Sequence, residues 1–185
     1  QSAGDVELHT TLGTLTDLDE HGDGTYTATF TAGTEAGDAV ITGTLNGASI
    51  ADDASILLTA GEVSTQTTTI TADPTTLPAD GESTSVITVE VRDEHGNLIG
   101  ASAGDVELFT TLGTLTDVVD HGDGTYSATF TAGTEVGEAV ITGTLSGASI
   151  ADDATILLTA GEASTQTTTI TADPTTLPAD GESTS

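Results

Sequence analysis

Ile70-Thr71-Ala72-Asp73-Pro74-Thr75-Thr76-Leu77-Pro78-Ala79-Asp80-Gly81-Glu82-Ser83-Thr84-Ser85 occurs twice in this sequence, the second time unchanged from Ile170 to Ser185. The interval is 100 residues, and between Ser2 and Ser85 about ten positions differ from their counterparts in the later copy. A repeat of that length implies one folded unit per copy, stacked in a row. The quoted stretch reads as the opening of such a unit. Ile70 and Ala72 alternate with Thr69 and Thr71, as in a half-buried strand. Pro74 and Pro78 lack an N–H and so belong on an edge strand or at a bulge. Ala79-Asp80-Gly81 is a turn, and glycine supplies any positive φ it needs.

Outward from that opening, period-2 alternation continues. Ile87, Val89 and Val91 share one face of a strand over Val86–Arg92, and Asp93-Glu94-His95-Gly96-Asn97 turns the chain. Val106, Leu108 and Leu112 point inward from the next strand, with Glu107, Phe109 and Thr111 outward. A short strand is expected around Leu115–Val118. The clearest alternation is Tyr126, Ala128, Phe130 and Ala132 against Thr125, Ser127, Thr129 and Thr131. Ala139, Ile141, Gly143 and Leu145, then Ala154, Ile156 and Leu158, make the last inward faces. No stretch carries apolar residues at helical spacing. The spacing therefore predicts an all-β protein, an immunoglobulin-like β-sandwich of about seven strands per 100-residue tandem repeat. Residues 1–63 are expected to hold the later strands of an incomplete repeat, 64–163 a complete one, and 164–185 the first strand of the next. By the same period the 185 residues read as a window on a longer array of repeats. Large inward side chains at roughly 1.5–3 kcal/mol each suffice as the core of a unit this size.

The formal charge is −29, with Arg92 as the only Lys or Arg. Nucleic acid and anionic membrane surfaces, which need basic partners, are excluded as ligands. No apolar run approaches the length of a membrane span. No cysteine is present, so neither disulfides nor thiol chemistry enter. The carboxylates attract cations and keep the chain soluble at high salt.

Several segments resemble the bacterial immunoglobulin-like domains of the invasin and intimin type. They are residues 69–81, Gly104-Asp105-Val106-Glu107-Leu108, residues 123–133 and Ile141-Thr142-Gly143-Thr144-Leu145. The resemblance covers the whole chain. It implies tandem arrays on bacterial surface proteins, extracellular and serving as stalks or spacers. It brings no catalytic residues.

The residues themselves point the same way. His9 is matched by Phe109 in the other copy, and His21, His95 and His121 lie in glycine-containing turns. No nucleophile elbow or Cys–His pair occurs, so an enzyme is not expected. Asp17-Leu18-Asp19-Glu20-His21-Gly22-Asp23 resembles part of an EF-hand loop but lacks the distal Glu, and Val119 replaces Asp19 in the other copy. A calcium site assembled in space is the stronger expectation. Three loops at one pole of the sandwich carry Asp93, Glu94 and Asn97; Asp120 and Asp123; and Asp152 and Asp153. Opposite them stand Glu62 and Glu35 of the preceding unit, and an all-oxygen set suits Ca²⁺. The candidate ligands are therefore Asp93, Glu94, Asn97, Asp120, Asp123, Asp152 and Glu62, and the expected partners are neighbouring repeats. The function expected is a structural segment of a cell-surface fibre or adhesin stalk. The alternatives are a binding module for carbohydrate, ice or host protein, to which outward Thr rows would lend themselves, or an accessory region of a secreted enzyme.

Overall fold

A computed structural model of the chain describes residues 4–161 and 165–184. Every regular element among them is a strand, and no helix is long and apolar enough to cross a membrane. The first unit contributes β1 (Val6–Thr10), β2 (Thr14–Glu20), β3 (Tyr26–Thr31), β4 (Gly37–Leu45), β5 (Ala48–Ser49) and β6 (Ala54–Leu58). The second contributes β7 (Val63–Asp73), β8 (Thr76–Pro78), β9 (Thr84–Asp93), β10 (Val106–Thr110), β11 (Thr114–Leu115), β12 (Val119–Asp120), β13 (Thr125–Thr131), β14 (Gly137–Leu145), β15 (Ala148–Ser149) and β16 (Ala154–Thr159).

The second unit is a two-sheet sandwich. One sheet runs β11–β13–β9–β7, with β12 also on β13; the other runs β10–β14–β16–β8, with β15 on β14. This division, with the opening strand split between the sheets, is that of the immunoglobulin fold. The inward residues read from the sequence form the core. Ile87, Val89, Val91, Phe130, Ala139, Ile141 and Ile156 are fully buried, with Tyr126, Leu145 and Leu158 nearly so. The short strand expected around Leu115–Val118 is instead two fragments, β11 and β12, each paired with β13. Its counterpart β2 stays one strand but slips register between Thr16 and Asp19, where Asp17 has φ +56°.

The opening stretch behaves differently in its two copies. In the first, β7 ladders antiparallel onto β9 from Thr69↔Glu90 to Asp73↔Val86. The chain then crosses to the other sheet, where β8 pairs parallel with β16, from Leu157↔Thr76 to Thr159↔Pro78. In the second copy, residues 165–184 hold no strand, and Ile170 is 97% exposed. Residues 164 and 185 of the strand expected there lie outside the described residues. The sequence is the same, so propensity is not the cause. The β7 ladder runs onto β9, and the 185 residues contain no second copy of Val86–Arg92. The first unit shows the complementary effect. Its residues include no counterpart of β9, and β3 pairs with β2 alone. Tyr26, Ala28 and Phe30 are only half-buried, whereas Tyr126, Ala128 and Phe130 are buried.

Candidate functional site

The described residues that bring the two units together are main-chain groups of the first and one turn of the second. Strand β9 ends at Asp93, where it ladders with the start of β7 through Val63↔Asp93 and Ser64↔Arg92. The chain then reverses: the Asp93 N–H donates to the Asn97 carbonyl (2.9 Å), and the Gly96 N–H to the Asp93 carbonyl (3.0 Å). Gly96 sits at φ +86°, which a side chain would resist. Arg92 braces the turn from behind, its guanidinium donating to the Gly96 carbonyl at 2.6 Å and to the Glu90 carboxylate. The one Lys or Arg in the sequence thus holds this turn.

The carboxylate of Asp93 is satisfied four times over. Oδ1 accepts from the N–H groups of His95 and Asn97, both at 2.9 Å. Oδ2 accepts from the Asn97 amide and from the N–H of Gly61, in the segment that joins the units, both at 2.8 Å. These bonds, that of the Asn97 side chain foremost and the Gly61 N–H next, outweigh burial and hold the carboxyl well below the usual range. A carboxylate offers about four lone-pair sites, and here N–H donors fill them. Asp93 is accordingly only 2% exposed, and it is the one charged side chain in the core set.

Asn97 carries the contact onward. Its Nδ2 donates to the Thr34 carbonyl at 2.8 Å, and its Oδ1 accepts from the Ala36 N–H at 2.9 Å. A primary amide is suited to this because it donates and accepts from one end. An open cleft of about 820 Å³ lies beside the joint, its acidic lining made of Glu35, Glu62, Asp93 and Glu94.

The structure thus gathers some of the expected cation ligands and disperses others. Glu62, Asp93, Glu94 and Asn97 line the cleft; Asp120, Asp123 and Asp152 do not. Each of the latter is engaged locally or within its own unit. Asp120 accepts from the Gly122 N–H at 2.8 Å. Asp123 accepts from the N–H and hydroxyl of Thr125, the hydroxyl first, which lowers its pKa. Asp152 accepts from the Ile70 N–H at 2.9 Å. Among the described residues no three His, Asp or Glu side chains form a group that could hold a metal. Asp120 and Asp123 each bond the N–H two residues on, as a turn Asp does.

His9 lies on the exposed face of β1, and the other three histidines occupy exposed turns. His121 Nε2 lies 2.8 Å from the Ser127 hydroxyl and His21 Nε2 3.0 Å from that of Thr27, while His95 lies 3.4 Å from the Glu94 carboxylate. His21 and His121 do not line the cleft beside the joint. The groups that sequence reasoning missed are the Thr34 carbonyl and the N–H groups of Ala36 and Gly61. As main-chain atoms they leave no residue signature.

Comparison with known proteins gives a family match and several related structures. The family model described as invasin, domain 3, matches residues 1–61 and again 64–161. InvD of Yersinia pseudotuberculosis is 32% identical over 90% of this chain and 50% of its own, with a TM-score of 0.59. The Escherichia coli adhesin FdeC is 28% identical over 85% of this chain and 52% of its own, with a TM-score of 0.55. Invasin, described as a bacterial integrin-binding protein, is 28% identical over 84% and 32%, with a TM-score of 0.50. The chain spans about half the length of the first two and a third of the third.

Proposed function

The chain belongs to the invasin domain 3 family, and from that premise we propose that it is a length of stalk in a cell-surface adhesin. Its work is mechanical: to hold one immunoglobulin-like unit at a fixed attitude to the next, outside the cell. The observation that carries this reading is the joint, where Asn97 and Asp93 of one unit bond Thr34, Ala36 and Gly61 of the other. Each unit then touches its neighbour through its ends. Nine residues of β14 at roughly 3.3 Å each, with loops, give a unit of about 35–45 Å. The high negative charge supports the reading too, since like-charged neighbours repel and stay dispersed.

Solution scattering tests the proposal. The 185-residue chain is expected to have a maximum dimension of about 70–90 Å, and each added repeat to lengthen the particle by about 35–45 Å. Particles that thicken without lengthening would refute it. So would tight binding of a host protein or glycan by these residues alone, which would favour the binding-module alternative.

A further inference from the structure

We propose that Thr134, Val136 and Gly161, at the far end of the second unit, form a backbone socket for an Asp-x-x-x-Asn turn presented by another unit of this fold. The proposal rests on the stalk reading and names the surface that reading uses. The chemistry is visible at the filled joint. There the first unit offers one carbonyl, of Thr34, and two N–H groups, of Ala36 and Gly61. A primary amide and a carboxylate four residues apart match that set. Asn alone supplies both a donor for the carbonyl and an acceptor for the first N–H, and Asp takes the second. A Lys or Arg could not accept, and an ionised acid in place of Asn could not donate.

The second unit carries the same set in the same backbone. Gly133-Thr134-Glu135-Val136-Gly137 repeats Gly33-Thr34-Glu35-Ala36-Gly37 with one change. Gly37 has φ +147° and Gly137 +151°. A Cβ at Gly33 would lie 3.4 Å from the Gly13 nitrogen, and one at Gly133 3.5 Å from the Gly113 nitrogen, so the two loops seat alike. The strands that follow the loops start alike too, with Gly37↔Leu58 and Gly137↔Leu158 paired. The difference is what stands in front. A Cβ at Gly61 would lie 3.6 Å from Asp93 Oδ2, while at Gly161 no atom of the described residues lies within 4 Å. The single substitution, Ala36 to Val136, falls where the turn reads the N–H and not the side chain. The socket is therefore indifferent to it.

The test extends the chain after Ser185 with a second copy of residues 86–161, which completes a third unit bearing its own turn. Amide exchange at Val136 and Gly161 is expected to slow about tenfold or more relative to the 185-residue chain. Replacing the Asn of the added turn by Ala should remove the gain at Val136 and leave the amides of Val89 and Ile156 as they were. Unchanged exchange at Val136 and Gly161 would overturn the socket, as would a gain at Val136 that survives the Asn replacement. A second measurement needs no third unit: Ala36→Val in the 185-residue chain should leave the residue 36 amide as protected as before. Loss of that protection would show that side chains are read and would overturn the proposal. Particles that still lengthen by one unit per repeat while Val136 and Gly161 exchange freely would leave the stalk reading standing and the socket refuted.

Discussion

Asn97→Ala is the sharpest probe of the joint. The substitution removes two hydrogen bonds between units, at 2.8 and 2.9 Å, and one within the turn. At about 0.5–1.5 kcal/mol each, the two inter-unit bonds make a coupling of about 1–3 kcal/mol, or about 5–150-fold in the opening equilibrium of the joint. The assay is native-state hydrogen exchange read at single amides. Ala36, whose N–H is bonded by Asn97, should exchange faster by that factor. The Ile156 amide, deep in the β14–β16 ladder, should not change, because the sandwich is held by its own core. Asn97→Asp should restore an acceptor for Ala36 but not a donor for Thr34, and it sets a second charge beside Asp93. It should therefore open the joint at least as far as Ala does. If Ala36 keeps its protection in Asn97→Ala while the fold is intact, Asn97 does not couple the units. If Ile156 loses protection in step with Ala36, the residue belongs to the fold of its unit rather than to the joint.

Other outcomes follow from the same structure. Tyr126→Phe strands the Ala103 N–H (2.8 Å) and the Gly104 carbonyl (2.9 Å), and with the latter exposed to water the loss should be about 1–2 kcal/mol in urea unfolding of the second unit. Gly113→Ala forces a side chain to φ +70° and places its Cβ 2.4 Å from the Thr131 carbonyl oxygen, so calorimetry should show a loss of at least about 2 kcal/mol. Acid should loosen the joint through Asp93: its folded pKa lies below the unfolded value near 3.9, so its stabilisation is full above about pH 4 and drains as pH falls from there toward the lowered folded value. Exchange at Gly61 compared between pH 6 and pH 3 reads that loss. Chelator should leave the Ala36 and Gly61 amides protected, since N–H donors occupy Asp93; exposure of those amides on calcium removal would show that an ion holds the joint.

The sequence was legible wherever one face of a strand meets a core. Ile87, Val89 and Val91 are inward because the alternation has only two phases, and burying the other would put Thr88, Glu90 and Arg92 inside. Turns were legible because their chemistry is local. Asp80 accepts from the N–H groups of Glu82 and Ser83 and from the Ser83 hydroxyl, and Asp180 repeats all three bonds in the tail. Both carboxyls are lowered to about 2, led by the Ser83 hydroxyl in the first and the Ser183 N–H in the second. Strand β7 was not legible in that sense, since the same residues form it at 70–73 and not at 170–173. Nor was the crossing of β8, whose partner β16 lies some 80 residues on. At the joint, Asp93 and Asn97 stood out as polar turn residues, and their neighbours' acidity suggested an ion. Three of the four donors that answer Asp93 are main-chain N–H groups, which any sequence carries; the fourth is the Asn97 amide.

The bracing of the turn by Arg92 has a consequence for survival outside a cell. A protease that cuts after Lys or Arg finds one such bond in these 185 residues, Arg92–Asp93. That bond lies at the end of β9, with Arg92 laddered to Ser64 on one side and bridged to Leu98 on the other. Its side chain is tied to Gly96 and Glu90. Such enzymes need several residues pulled free into an extended, accessible strand, which they find at loop tips. Here that strand must first be released from its ladders, so digestion by trypsin-like enzymes should track how often the end of β9 opens.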